Sequence, residues 1–347
     1  MTEPPSKISL DIDLLEMCVD DMTNCTDIYR PGPYWYAKAK AAAREIREFG
    51  LSDFRGYTTG IATSYGDNPF VDTRSIYNYG IKSLVTKSSR KLFPLKQIFD
   101  YQVELTRSHY EETVRLRAEL FRMSPRVREL LQRYQVPHDN CRGGCKDFSD
   151  FDGERISHHY LATLDTLDVI AKRTKLNEAR THFEIGGGFG VYTHLLIENF
   201  PSLRKFIYLD IAPNLYVGTQ YLRSFYGSSV ISYMDTRKQD SITFSENDDL
   251  EILCILPAQV EKLTCQIDVF HNSQSFVEMP RHVVANYADH VKRLLAPHGT
   301  ITLVTYDGFD LSTTIHPDEL PSFFSADFSR ELLPTLRPER QHYYFIA

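Results

Sequence analysis

The chain has 347 residues, 42% of them hydrophobic and 24% charged, a globular composition that excludes a disordered or collagen-like protein. Its net charge of -7 argues against a nucleic-acid binder. That charge is unevenly spread: -6 over residues 1–27, +7 over 28–180 and -8 over 181–347.

Residues 1–27 read as an acidic leader with a short helix at Leu10–Met17. The chain does not open with a basic stretch followed by an apolar run, and it has no run of about 18 apolar residues. Neither a secretory signal nor a membrane span is therefore expected, and the expected compartment is the cytoplasm. A turn-rich aromatic segment, Tyr29–Tyr36, leads into a helix at Ala37–Phe49, with Gly50 as its C-terminal cap. Residues 51–80 read as a long ordered loop. Apolar spacing predicts helix from Ile98 to Gln132, divided at Ser124-Pro125. Residues 136–156 are rich in Gly and Asp. His138, Cys141 and Cys145 there offer three zinc ligands without a fourth at a standard spacing, so no metal is expected. A helix at Ser157–Thr174 completes a mainly helical region over 28–180.

From Thr181 onward strands alternate with helices. Strands are expected at His182–Ile185, Lys205–Asp210, Leu250–Leu256, Ile267–Asn272, Thr300–Tyr306 and Gln341–Ile346. Helices are expected at Tyr192–Asn199, Tyr216–Phe225 and His282–Leu295. This rhythm predicts an α/β domain over 181–347, a mostly parallel Rossmann-like sheet with helices on both faces.

The sharpest motif is Glu184-Ile185-Gly186-Gly187-Gly188-Phe189-Gly190, between a strand and a helix. Glycines there permit a tight turn and close approach of a ligand to the backbone. Asp210 ends the next strand, where an acid can accept hydrogen bonds from ribose hydroxyls. The dinucleotide pattern G-x-G-x-x-G fails in both frames, at Val191 and at Thr193. A carboxylate at Glu184 suits a cationic ligand and would repel a pyrophosphate.

The pattern acid-x-Gly-x-Gly-x-Gly resembles the S-adenosylmethionine (SAM) loop of class I methyltransferases. The stretch from Gly186 to Gly227, followed by IDVFHNSQSFVEMP and Asn286-Tyr287, is similar to the sugar O-methyltransferase family. The likeness is strongest over residues 181–290, with weaker echoes in GLSDFRG and SYGDN. His271 departs from the aliphatic residue expected before the Asn. The resemblance implies SAM as cofactor, held by Glu184, Gly186, Gly188, Gly190, Asp210, Ile211, Pro257, Asn272 and Ser273. It implies methyl transfer to a hydroxyl, or alternatively an amine, of a sugar-like molecule in secondary-metabolite or antibiotic biosynthesis.

Glu278 is the first candidate for base or amine anchor and His271 the second. Tyr65, Asp67, Asn68 and Tyr287 are the candidate substrate residues, with Tyr34, Trp35 and Tyr36 as further lid aromatics. The basic middle suggests either docking onto the acidic domain or a rim, including Arg55, for a nucleotide-activated or phosphorylated acceptor. A homodimer is compatible with the sequence. The competing readings are an NAD(P)-dependent sugar reductase and a SAM-binding module without catalysis.

Overall fold

A computed structural model describes residues 8–56, 95–306, 315–336 and 341–347. Helix α1 spans Ile12–Asn24, longer than expected because Leu14, Cys18 and Met22 continue one apolar face past the acidic pair Asp20-Asp21. The Asp11 carboxylate caps it, accepting from the Leu14 N–H at 3.0 Å. Helix α2 (Pro33–Phe49) starts four residues earlier than expected and takes Trp35 into its first turn. The Gly50 N–H closes it on the Ile46 carbonyl at 2.8 Å. Helices α3 (Leu95–Met123) and α4 (Pro125–Arg133) break at Ser124, where the expected division lies. The hairpin β1 (Phe148–Phe151) and β2 (Glu154–Ser157) was not expected, although its Asp152-Gly153 turn is a standard hairpin signal. Helix α5 (His158–Ala171) is buried along most of its length.

The remaining elements build one sheet. Strand β3 (Thr181–Ile185) leads through helix α6 (Val191–Asn199) to β4 (Lys205–Leu209). Helix α7 (Asn214–Tyr226), the two-residue strand β5 (Val230–Ile231) and the short helix α8 (Tyr233–Thr236) precede β6 (Glu251–Ile255). Then come β7 (Ile267–Ser273), helix α9 (Arg281–Leu294), β8 (Leu295–Thr305), β9 (Ser329–Pro334) and β10 (Gln341–Ile346). The spatial order is β5-β6-β4-β3-β7-β8-β10-β9. Neighbours from β5 to β8 pair in parallel, and β10 runs antiparallel to both β8 and β9.

This is the doubly wound, Rossmann-like sheet that the alternation predicts, with the mainly helical region before it. The chain winds outward from β3 through β4 to β6, then restarts at β7 on the other side. The switch point therefore lies between β3 and β7, where doubly wound sheets bind ligands beyond the strand ends.

Two apolar layers sandwich the sheet. Phe183, Ile207, Leu209 and Phe270 face α9, whereas Phe206, Tyr208, Cys254 and Val269 face the layer of α5, α6 and α7. Leu14, Leu15 and Cys18 of α1 and Ile46 of α2 belong to this second layer. The hydrophobic core thus crosses the expected boundary at residue 180. Among the described residues no helix is long and apolar enough to cross a membrane.

Candidate active site

The turn after β3 is shaped by what surrounds it. The Gly186 N–H donates to the Leu209 carbonyl at 2.8 Å with φ at 80°. A Cβ at Gly186 would sit 2.3 Å from the Ser275 hydroxyl oxygen, so backbone passes there and a side chain cannot. Asp210 reaches across from the end of β4. One oxygen accepts from the Gly188 N–H at 2.8 Å and the other from the Ile211 N–H at 2.7 Å. The acid therefore holds the glycine turn in shape while retaining lone pairs for a ligand.

Glu184 is buried and accepts from the Thr193 hydroxyl at 2.8 Å. Burial pushes its carboxyl up to about 7, against the relief from Thr193 and with a further push from Asp210. Asp210 is likewise pushed up to about 7 by burial, although backbone donors partly oppose the shift and Glu278 adds to it.

These groups line a cavity of about 1010 Å³. One end is aromatic and apolar, with Tyr29, Ile211, Val283 and Tyr287 around Asp210. The glycine turn, Glu184 and Thr163 of α5 line the cavity as well. The other end is formed by Ser273, Gln274, Thr335, Gln341 and His342. Trp35, Lys38, Glu278 and Tyr306 also line the cavity.

Glu278 does not cap α9, whose N-cap is Pro280 without a side-chain cap bond. It ends a single turn, Phe276–Glu278, and is clamped from two sides. The Trp35 indole N–H donates to one oxygen at 2.8 Å, and the Tyr306 hydroxyl donates to the other at 2.7 Å. Burial raises its carboxyl above the usual range, while these two donors and Lys38 oppose the rise.

Several expected residues are placed differently. His271 is fully buried, its ring stacked on Tyr192 with centroids 4.0 Å apart. The Thr302 hydroxyl donates to the Phe270 carbonyl at 3.0 Å, so it accepts from His271 Nδ1–H at 2.8 Å and leaves Nε2 bare. That Nε2 is buried without a partner, and desolvation drives the ring well below its usual pKa. His271 forms cavity floor and is not placed as a base. Asn272 lies off the cavity because its amide donates to the Ile185 carbonyl at 2.8 Å and to the Ser275 hydroxyl at 2.6 Å, tying β7 to β3. Gly190 also lies off the cavity; it opens α6 with φ at 92°, and a Cβ there would meet Leu222 at 2.9 Å. Pro257 is buried at the start of a short turn after β6, away from the cavity.

Tyr287 lines the cavity at the Asp210 end, beside Tyr29 with ring centroids 6.2 Å apart. Arg55 is no rim residue. It is buried, donating to the Asn140 carbonyl at 2.6 Å and to the Ser157 hydroxyl at 2.5 Å. Tyr65, Asp67 and Asn68 lie outside the described residues. Sequence reasoning missed Tyr29, Lys38, Tyr306 and His342. None sits in a motif: Tyr306 and His342 lie at the ends of expected strands and Tyr29 and Lys38 in the N-terminal region, and only the fold brings the four to one cavity.

No family model matches the sequence, and no curated protein matches it. Among solved structures, PigF with SAH is similar at 11% identity and a TM-score of 0.36, over 52% of this chain and 56% of that one. The magnesium protoporphyrin IX methyltransferase ChlM from Synechocystis PCC 6803, with bound SAM, is similar at 9% identity and a TM-score of 0.37, over 54% and 78%. The N-methyltransferase NodS from Bradyrhizobium japonicum WM9, with SAH, is similar at 11% identity and a TM-score of 0.35, over 52% and 85%. This chain thus spans little more than half the length of PigF. Likeness at this level carries no information on substrate or activity, which rest on the residues of the site.

Proposed function

We propose that this protein is a SAM-dependent methyltransferase acting on a hydroxyl of a sugar-like acceptor. The observation that carries the reading is the set of three carboxylates, Glu184, Asp210 and Glu278, around a glycine turn at the switch point of a doubly wound sheet. Buried acids are costly without cationic or donor partners, so they favour a ligand bearing a sulfonium and an ammonium group. A pyrophosphate at the glycine turn would meet Glu184 with repulsion, which disfavours a nicotinamide dinucleotide.

The residues fit the cofactor in parts. Asp210 would accept from the ribose hydroxyls, Ile211, Val283 and Tyr287 would enclose the base, and Glu184 would balance the positive charge of the amino-acid portion. When bound, SAM supplies an electrophilic methyl group. The chain's own task is to align an acceptor and take its proton. Glu278 suits that task, because its carboxylate is fixed by Trp35 and Tyr306 and its raised pKa makes it a stronger base than a solvated Glu. Arg30 and Lys38 are cationic lining residues on the N-terminal side, which supports acceptors carrying a phosphate.

A methyl-donor assay against free sugars, sugar phosphates, nucleotide-sugars and amino sugars, read by mass, tests the proposal. We expect a hydroxylated member of the panel to gain the mass of one methyl group. Methylation of amines alone would overturn the assignment to oxygen.

A further inference from the structure

Three neighbouring strand ends meet at one end of the cavity. Gln274 follows β7, Tyr306 follows β8, and His342 begins β10, which reaches the same edge because it runs antiparallel to β8. Gln274 has φ at 68°, the left-handed region that side-chain-bearing residues rarely adopt. Its own N–H, donating to the Val304 carbonyl at 2.7 Å, keeps it there. Non-glycine residues held this way cluster at ligand sites, and the conformation here directs the side chain toward β10. The Gln274 amide N–H donates to His342 Nε2 at 3.3 Å, and both residues line the cavity. In that bond His342 Nε2 is the acceptor. The bond leaves Gln274 one amide oxygen as acceptor and one amide hydrogen as donor. Between these two strand ends stands Tyr306, whose hydroxyl holds Glu278.

We propose that Gln274 and His342 form the specificity edge of the acceptor site, recognising a second hydroxyl next to the one that Glu278 deprotonates. The inference rests on the methyltransferase reading above and narrows its substrate class to vicinal diols. An amide edge with one donor and one acceptor matches a hydroxyl, which also gives and takes one hydrogen bond. Loss of that hydroxyl would leave the amide unpaired, and unpaired buried polar groups discriminate strongly.

The experiment compares a cyclic diol acceptor with its mono-deoxy analogue, using the wild-type protein, Gln274→Gly and His342→Phe. Glycine accepts the left-handed backbone, so this variant removes the amide without straining the turn. In the wild type the diol should be preferred by at least about tenfold in kcat/KM. In both variants the preference should collapse toward unity through a higher KM for the diol, with the dissociation constant for SAM unchanged. Normal SAM binding and turnover with an unchanged diol preference in both variants would overturn this assignment alone. A wild-type protein that binds no SAM would overturn the underlying reading together with it.

Discussion

Glu278 is a half-buried carboxylate on which opposing forces act. Desolvation favours its protonated form, whereas the Trp35 and Tyr306 donors favour the ionised form by bonding to it. The sign for catalysis follows. Activity should fall as pH drops through the Glu278 pKa, because a protonated carboxyl cannot accept the acceptor's proton. Glu278→Gln should lower turnover by about 10²–10⁴-fold while SAM affinity stays nearly constant. Trp35→Phe and Tyr306→Phe each remove one donor to the ionised form, so each should move the acid limb of the kcat profile to higher pH. An unmoved limb in both variants, measured over pH 5–9, would show that the clamp does not tune the base.

At the scale of elements, the glycine turn was legible because its surroundings are regular. Strands β3 and β4 are buried along nearly their whole length, so they appear in sequence as short apolar runs ending in Gly186 and Asp210. The division at Ser124 was legible from Ser-Pro chemistry. Strand β9 was not, since it is a half-exposed edge strand that carries charges and ends in Pro334. The clamp on Glu278 was also hidden, because Trp35 lies 243 residues away and no local pattern encodes that contact. Nor does spacing distinguish the roles of the glycines. Gly186 makes room at the cavity and Gly190 makes room between α6 and α7. Gly190→Ala should therefore reduce stability by about 1–3 kcal/mol in urea unfolding, through a left-handed backbone and contact with Leu222. The folded fraction should still bind SAM with near-normal affinity. A selective loss of SAM affinity at full stability would return Gly190 to the cofactor site.

Over the whole molecule, the uneven charge takes on a structural meaning. Within the acidic leader, residues 8–27 pack into the fold: α1 buries Leu14, Leu15 and Cys18, and Asp21 pairs with Arg237 and accepts from the Tyr233 hydroxyl at 2.8 Å. Among the described residues of the middle region, Arg126, Arg133 and Lys172 surround Asp168. Pairs reaching the sheet domain include Arg173–Glu331. Two buried acids of the sheet domain, Glu184 and Asp210, line the cavity. Their carboxyls stand near 7 in the free protein, and a cationic ligand would favour their ionised forms. Binding such a ligand should therefore release protons and weaken as pH falls below 7. Calorimetric titration with SAM, SAH and NAD(P) at pH 8 and pH 6 tests this directly. The account predicts binding of SAM that is weaker at pH 6 than at pH 8, and no comparable response to NAD(P). Tight binding of NAD(P) with no response to SAM at either pH would contradict it.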